Sequence, residues 1–323
     1  MCTSISLKTK DHYFGRTLDL EYSYDQKVII TPRNYIFDFR QVDSITNHYA
    51  IIGIGIVSEN YPLYFDATNE KGLSVAGLNF PYYTDYKHIE TGKDNITPFE
   101  LIPWLLSQCS SVNEAQEKLE NANIVNVKFS DEYPLSPLHW LISDKEKSIV
   151  VECVREGLNI YENKVGVLTN NPPFSLQMFN LNNYMNVTRE EPTNRFSDNV
   201  DLYMYSKGMG GIGLPGDLSS QSRFVRATFA KLNSVCGFEE NESVSQFFHI
   251  LDTVSQTRGS ARVGDKFEIT DYYSCCNTDK GIYYYKTYEN SQISAVYLFN
   301  ENLDEKELVE YNLIKKQQIN FQN

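Results

Sequence analysis

Met1-Cys2-Thr3-Ser4-Ile5-Ser6-Leu7 opens the chain, with a thiol directly behind the first methionine. Loss of that one methionine would leave Cys2 carrying both a sulfur nucleophile and a free α-amine. The amine titrates at about 7.7–8.0 and a thiol at about 8.5. The amine can therefore take the proton from sulfur and later hand it to a leaving group, with no histidine involved. The alternative is an inert small residue, the commoner fate of a lone cysteine. Residues further along decide between the two.

Phe14-Gly15-Arg16-Thr17-Leu18-Asp19 follows the first strand at hairpin distance and so can return antiparallel beside Cys2. A cationic Arg16 near the sulfur would favour thiolate, and Asp19 could hold the α-amine by a charge-assisted hydrogen bond. Residues three apart on a regular strand face opposite sides, so a bend near Leu18 is expected if both reach Cys2. A surface ion pair is the competing reading. Val167-Leu168-Thr169-Asn170-Asn171-Pro172 ends an apolar strand in amides, and Gly77-Leu78-Asn79-Phe80-Pro81 does the same. Asn170 and Asn79 could donate to an oxyanion, or simply make asparagine turns. Arg223, in Ser222-Arg223-Phe224, falls off the apolar face of a helix starting near Ser220, which suits solvent or a cleft.

Strands are expected over Ile51–Val57, Leu73–Leu78, His139–Ser143, Ile149–Cys153, Leu158–Tyr161 and Val165–Thr169. Thr97-Pro98-Phe99-Glu100 and Ser111-Val112-Asn113-Glu114 read as helix starts, as does Ser243-Val244-Ser245-Gln246. The face of the helix near Ser220 is expected from Val225, Phe229, Leu232 and Cys236. Ile282–Phe299 reads as a hairpin about Glu289-Asn290-Ser291. Strands and helices in separate blocks, with no linker or repeat, point to one α+β domain over 1–323 built of layered sheets and helices. Residues 180–207 are polar and irregular, too long for an ordinary connection, which points to function or assembly.

The 323 residues carry a formal net charge of −13, which argues against nucleic acid as a partner. No run reaches the length of a membrane span, and no signal peptide is legible. Cys2, Cys109, Cys153, Cys236, Cys275 and Cys276 are scattered, as expected of free thiols in the cytoplasm. The histidines lack metal-ligand spacing. Gly208-Met209-Gly210-Gly211-Ile212-Gly213 imitates a dinucleotide fingerprint, but Pro215 follows it at once and no helix opens inside it. Neither a metal nor a cofactor is expected.

Met-Cys-Thr, Phe-Gly-Arg-x-x-Asp, Ala-Gly-Leu-Asn-Phe, Leu-Thr-Asn-Asn-Pro and Leu-Pro-Gly-Asp-x-Ser-Ser-x-Ser-Arg-Phe occur here in one order. In that order they resemble the choloylglycine hydrolase family of N-terminal nucleophile hydrolases, and most closely its bacterial conjugated bile salt hydrolases. The resemblance implies a four-layer αββα sandwich with Cys2 as nucleophile after loss of Met1. It implies amide hydrolysis through a thioester on glycine- or taurine-conjugated bile acids. By motif it gives catalytic roles to Cys2, Arg16, Asp19, Asn79, Asn170 and Arg223, and a steroid pocket to Leu18, Phe65, Phe129, Tyr133 and Leu138. The stretch 180–207 stands where relatives carry an extension that assembles a homotetramer. Penicillin V acylase or N-acyl-homoserine-lactone amidase activity is the alternative on the same fold. An inactive bile-acid-binding protein is the alternative of another class.

Overall fold

The computed structural model describes residues 1–323. The chain runs through β1 (Cys2–Lys8), β2 (His12–Leu20), β3 (Lys27–Thr31), β4 (Ile51–Ser58), β5 (Tyr61–Asn69), β6 (Ser74–Asn79) and β7 (Asp94–Ile96). Helices α1 (Leu101–Gln108) and α2 (Val112–Leu119) precede β8 (Ala122–Ile124), β9 (Leu138–Ser143), β10 (Ser148–Val154), β11 (Gly157–Glu162) and β12 (Val167–Leu168). Then come α3 (Phe174–Asn180), α4 (Ser220–Asn233) and α5 (Glu240–Asp252). β13 (Arg262–Val263), β14 (Lys266–Phe267), β15 (Ile269–Asn277), β16 (Ile282–Thr287), β17 (Ser294–Tyr297) and β18 (Val309–Asn312) complete it.

Two large sheets result, a six-stranded one ordered β12-β1-β2-β15-β16-β17 and an eight-stranded one ordered β11-β10-β9-β6-β5-β4-β3-β18. Alternation along each strand sends neighbouring residues to different cores. Ile52, Ile54, Leu78, Leu141 and Val150 meet Phe14, Leu18 and Tyr272 between the sheets, in a cluster that also takes in Ile5 on the other face of β1, Phe224 of α4 and Phe247 of α5. Ile51, Val75, Ile142 and Val151 face the other way, onto Trp104, Leu105 and Val112 of α1 and α2. With α4 and α5 on the smaller sheet and α1 on the larger, the layers read αββα, the arrangement the family resemblance implies. No helix is long and apolar enough to cross a membrane.

Helix ends differ from expectation in two places. At Thr97 the backbone N–H does donate to Glu100 Oε2 at 3.3 Å, but regular helix starts only at Leu101. The Glu100 carboxylate is shared with the Arg40 N–H at 2.7 Å, which ties it to a neighbouring loop. Helix α5 starts at Glu240, before Ser243; Ser243 is buried and bonded to Thr9 Oγ1 at 2.8 Å, so tertiary packing claims the hydroxyl. The Ser111 cap forms as expected, accepting the Glu114 N–H at 3.3 Å, a contact worth about 1 kcal/mol. Strands β16 and β17 pair antiparallel as the foreseen hairpin. The glycine-rich run holds only a short 3-10 turn, Met209–Gly211.

Candidate active site

The register of the first hairpin distributes the site across a sheet. Cys2 pairs with Leu18, Thr3 with Thr17 and Ser4 with Arg16. Directly opposed residues share a face, so Cys2, Leu18 and Arg16 point between the sheets. Thr3, Thr17 and Asp19 point outward, to α4 and α5. The bend expected near Leu18 does not form in β2, whose register with β1 is unbroken and which carries Arg16 and Asp19 on opposite faces; the irregularity lies instead in β15, between Thr270 and Tyr272, which pair with Asp19 and Leu18. The Cys2 sulfur thus has one cation on its own face and a second held behind the sheet.

On the inner face Arg16 is fully buried. Its Nη1 donates to the Phe65 carbonyl at 3.1 Å and to the Gly77 carbonyl, and Nε donates to the Thr17 carbonyl at 3.1 Å. Nη2 is buried without a partner. Burial works against the guanidinium, but Cys2, Tyr272, Asp66 and Asp19 around it outweigh that and hold its pKa above the ordinary value. A fixed cation beside a thiol favours the thiolate. Asp66, which the sequence reading passed over, accepts from Tyr272 Oη at 2.7 Å, Ser274 Oγ at 3.0 Å and Tyr283 Oη. Burial raises the Asp66 pKa, against the pull of Arg16 and the three hydroxyls.

On the outer face Arg223 is buried, not solvent-facing. Its helix turns Phe224, Val225, Ala227 and Thr228 inward, whereas Leu232 is exposed, so the apolar face lies a step away from the expected one. Arg223 Nη1 donates to Thr3 Oγ1 at 2.7 Å and to the Cys2 carbonyl, and Nη2 donates to Asn170 Oδ1 at 2.7 Å. The Asp19 carboxylate lies 3.9 Å from Nη1. It also accepts from Thr270 Oγ1 at 2.7 Å and Thr17 Oγ1 at 3.3 Å. Burial raises the Asp19 pKa and lowers that of Arg223, each opposed by the other's charge.

The Cys2 nitrogen, a peptide amide here, donates to Asn170 Oδ1 at 2.9 Å. With Oδ1 accepting from two donors, the orientation of the Asn170 amide is forced and Nδ2 is its donor end. Nδ2 gives one hydrogen to the Asn79 carbonyl at 2.7 Å and has a second to offer. Asn79 ends β6 with its side chain exposed. The Asn170 N–H is pinned by Ser220 Oγ at 2.8 Å. With Met1 in place the Cys2 nitrogen is an amide without basic character. The Met1 ammonium contacts Glu268 and the Asp19 carbonyl, and the Asp19 N–H donates to the Met1 carbonyl at 2.7 Å.

Of the expected pocket residues, Leu18 pairs with Cys2, Leu138 pairs with Asn79, and the Phe65 carbonyl bonds Arg16. Tyr133 is half-buried on the loop before β9. Phe129 is buried beneath the Arg40 guanidinium, with ring centroids 5.2 Å from Phe99, 6.1 Å from Tyr61 and 6.2 Å from Tyr133, in a cluster on which Phe65 and Leu138 also pack. Tyr24, not foreseen, packs on Phe65 at 5.4 Å. Only the aromatic pair Tyr22 and Tyr24 in the loop after β2 could have signalled it.

A four-layer αββα fold with a cysteine heading its first strand defines the class of N-terminal nucleophile hydrolases. The chain belongs to the choloylglycine hydrolase family of linear amide C–N hydrolases, whose pattern matches residues 2–311. It is 59% identical over 314 residues to the bile salt hydrolase/transferase of Lactiplantibacillus plantarum, covering 97% of each chain. To the bile salt hydrolase/transferase of Clostridium perfringens it is 43% identical over 329 residues, covering 100% of each. Among solved structures, a mutant conjugated bile acid hydrolase from Clostridium perfringens has a TM-score of 0.93 at 41% identity, covering 100% of both chains. Penicillin V acylase from Agrobacterium tumefaciens has a TM-score of 0.74 at 18% identity, covering 97% of this chain and 91% of that one, a likeness of fold.

Proposed function

We propose that the chain, once Met1 is removed, hydrolyses the amide of glycine- or taurine-conjugated bile acids with Cys2 as nucleophile. The observation that carries this is the set of fixed groups around Cys2, with cations on both faces of its strand and Asn170 on its nitrogen, in a chain alike over its whole length to bile salt hydrolases. The freed α-amine takes the thiol proton, and the sulfur, beside Arg16, attacks the amide carbon. Nδ2 of Asn79 and the second Nδ2 hydrogen of Asn170 receive the oxyanion. The C–N bond breaks as the α-ammonium gives its proton to the departing nitrogen, leaving a thioester on Cys2. Water, deprotonated by the same amine, then releases the bile acid and restores the thiol. The names of the two relatives include transferase, and a thioester open to water is open to an amine by the same attack. Leu18, Phe65 and Leu138 supply apolar walls for the steroid, with Tyr133 at the rim.

Initial rates on glycocholate, taurocholate and penicillin V test this reading. The conjugated bile salts are expected to be cleaved faster than penicillin V by at least about tenfold, since a misfitted acyl group forfeits binding energy otherwise spent in the transition state. Faster cleavage of penicillin V would turn the reading to the acylase alternative, and binding of bile acid without cleavage would turn it to the inactive one. Assembly belongs to the same proposal. Met185, Phe196, Tyr203 and Tyr205 on the stretch 180–207 are 80%, 83%, 85% and 79% exposed. Apolar exposure on that scale marks a contact surface, which we read as the homotetramer interface; a monomeric sedimentation mass would remove it. All six cysteines are free thiols, which suits a bacterial cytoplasm.

A further inference from the structure

One buried ionisable pair lies outside the machinery described so far, directly behind the two asparagines. His139 on β9 lies opposite both Leu78 on β6 and Glu152 on β10, so the three residues form one row across the larger sheet. Both His139 and Glu152 are fully buried. The His139 ring stacks on Phe80, the residue after Asn79, with centroids 4.3 Å apart and planes 4° from parallel. Its Nε2 donates to the carbonyl of Thr169, the residue before Asn170, at 2.8 Å. Nδ1 lies 3.1 Å from Glu152 Oε1, which also accepts the Phe174 N–H at 2.9 Å.

A carbonyl only accepts, so Nε2 must carry its proton. Nδ1 then faces Glu152 Oε1 across 3.1 Å. The ring is thus held at Nε2 by the Thr169 carbonyl, flanked at Nδ1 by Glu152 and stacked on Phe80.

We infer that His139, held by Glu152, is the positioning residue that keeps Asn79 and Asn170 at the spacing an oxyanion needs. This rests on the reading of Cys2 as an amide-cleaving nucleophile. Each asparagine is tied to the same imidazole through its chain neighbour, one by stacking and one by a hydrogen bond. The hydrogen bonds of the ring run to Thr169 and Glu152 and none runs to Cys2. A shift of about 1 Å in such donors costs roughly a hundredfold in rate.

The test uses the mature enzyme and His139→Phe, which keeps an aromatic ring for Phe80 and loses both polar contacts. Glycocholate kinetics are read per assembled site, counted by alkylating Cys2 with a thiol reagent. We expect kcat per site to fall about 10–100-fold, KM to stay within about twofold, and the alkylation rate to match the parent, because alkylation builds no oxyanion. A parent-level kcat per site overturns the inference, as does a loss shared by KM and the alkylation rate. If His139→Phe yields no assembled sites, His139→Gln decides by the same readouts. It keeps a donor for Thr169 but loses the stacked ring, so a kcat about tenfold lower supports the inference and an unchanged one overturns it. A parent enzyme that releases no glycine would strike the bile salt reading itself. An active parent with an unaffected variant strikes only the role of His139.

Discussion

Cys2→Ala is expected to bring glycine release from glycocholate down to background, a loss on the order of 10⁵-fold or more, as when the nucleophile of a comparable hydrolase is removed. The fold should survive, because only one sulfur atom is lost from a small side chain, although that side chain is buried at 3% exposed. Truncation at such a site costs about 1 kcal/mol. Circular dichroism and the denaturant midpoint should therefore stay near those of the parent. Protein that retains Met1 should be equally idle despite an intact thiol, because its Cys2 nitrogen is an amide that gives its hydrogen to Asn170. Release of glycine by either form at a measurable fraction of the parent rate would rule out amine-assisted attack by Cys2.

Arg223→Met should cost both activity and stability. The guanidinium holds Thr3, the Cys2 carbonyl and Asn170 Oδ1 together and faces Asp19. Without it, Asn170 loses one of the two donors that fix its amide, and kcat/KM should fall about 10³-fold. Asp19 is left buried without its nearest side-chain cation, and removing the partner of a buried charge costs about 3–5 kcal/mol. The pH dependence has a definite sign. Burial already raises the Asp19 pKa, and the Arg223 charge is what opposes that rise. In the variant the carboxyl moves further above its unfolded value. The protonated form then stabilises the fold at low pH, and that stabilisation is lost as pH rises through the raised value. The penalty measured by denaturant should thus be smaller near pH 4 than near pH 7; a penalty that grows on acidification would contradict a buried Asp19–Arg223 pair. Arg223→Lys should not rescue, since a point charge cannot span acceptors on three residues.

Most strands were legible because their apolar runs sit between glycine and turn residues, as in Ile51–Val57 and Leu73–Leu78. Helix ends were less so. Ser243 looks like a cap but is drawn into the core by Thr9, a residue 234 positions away. The site shows the same division. Cys2, Arg16 and Asp19 lie on one hairpin, where spacing and alternation predict their faces. Helical periodicity leaves Arg223 facing either solvent or a cleft, because it reports only apolar neighbours and the partners Thr3 and Asn170 come from distant strands. His139 is a lone histidine in a strand, and Glu152 and Thr169, 13 and 30 residues along the chain, give it meaning only once the sheets are folded.

The placement of β15 beside β2 also sets an order of events in time. Thr270, which bonds Asp19, and the whole strand Ile269–Asn277 must leave the ribosome before the hairpin bearing Cys2 acquires its second neighbour. At about 5–20 residues per second, synthesis leaves the head of the chain without that strand for tens of seconds. In the finished fold Cys2 is 3% exposed and the Met1 ammonium rests against Glu268. Cleavage of the Met1–Cys2 bond in the proposed maturation therefore has its opening on the nascent chain, and a cell that translates faster than it trims would accumulate folded, unripe enzyme.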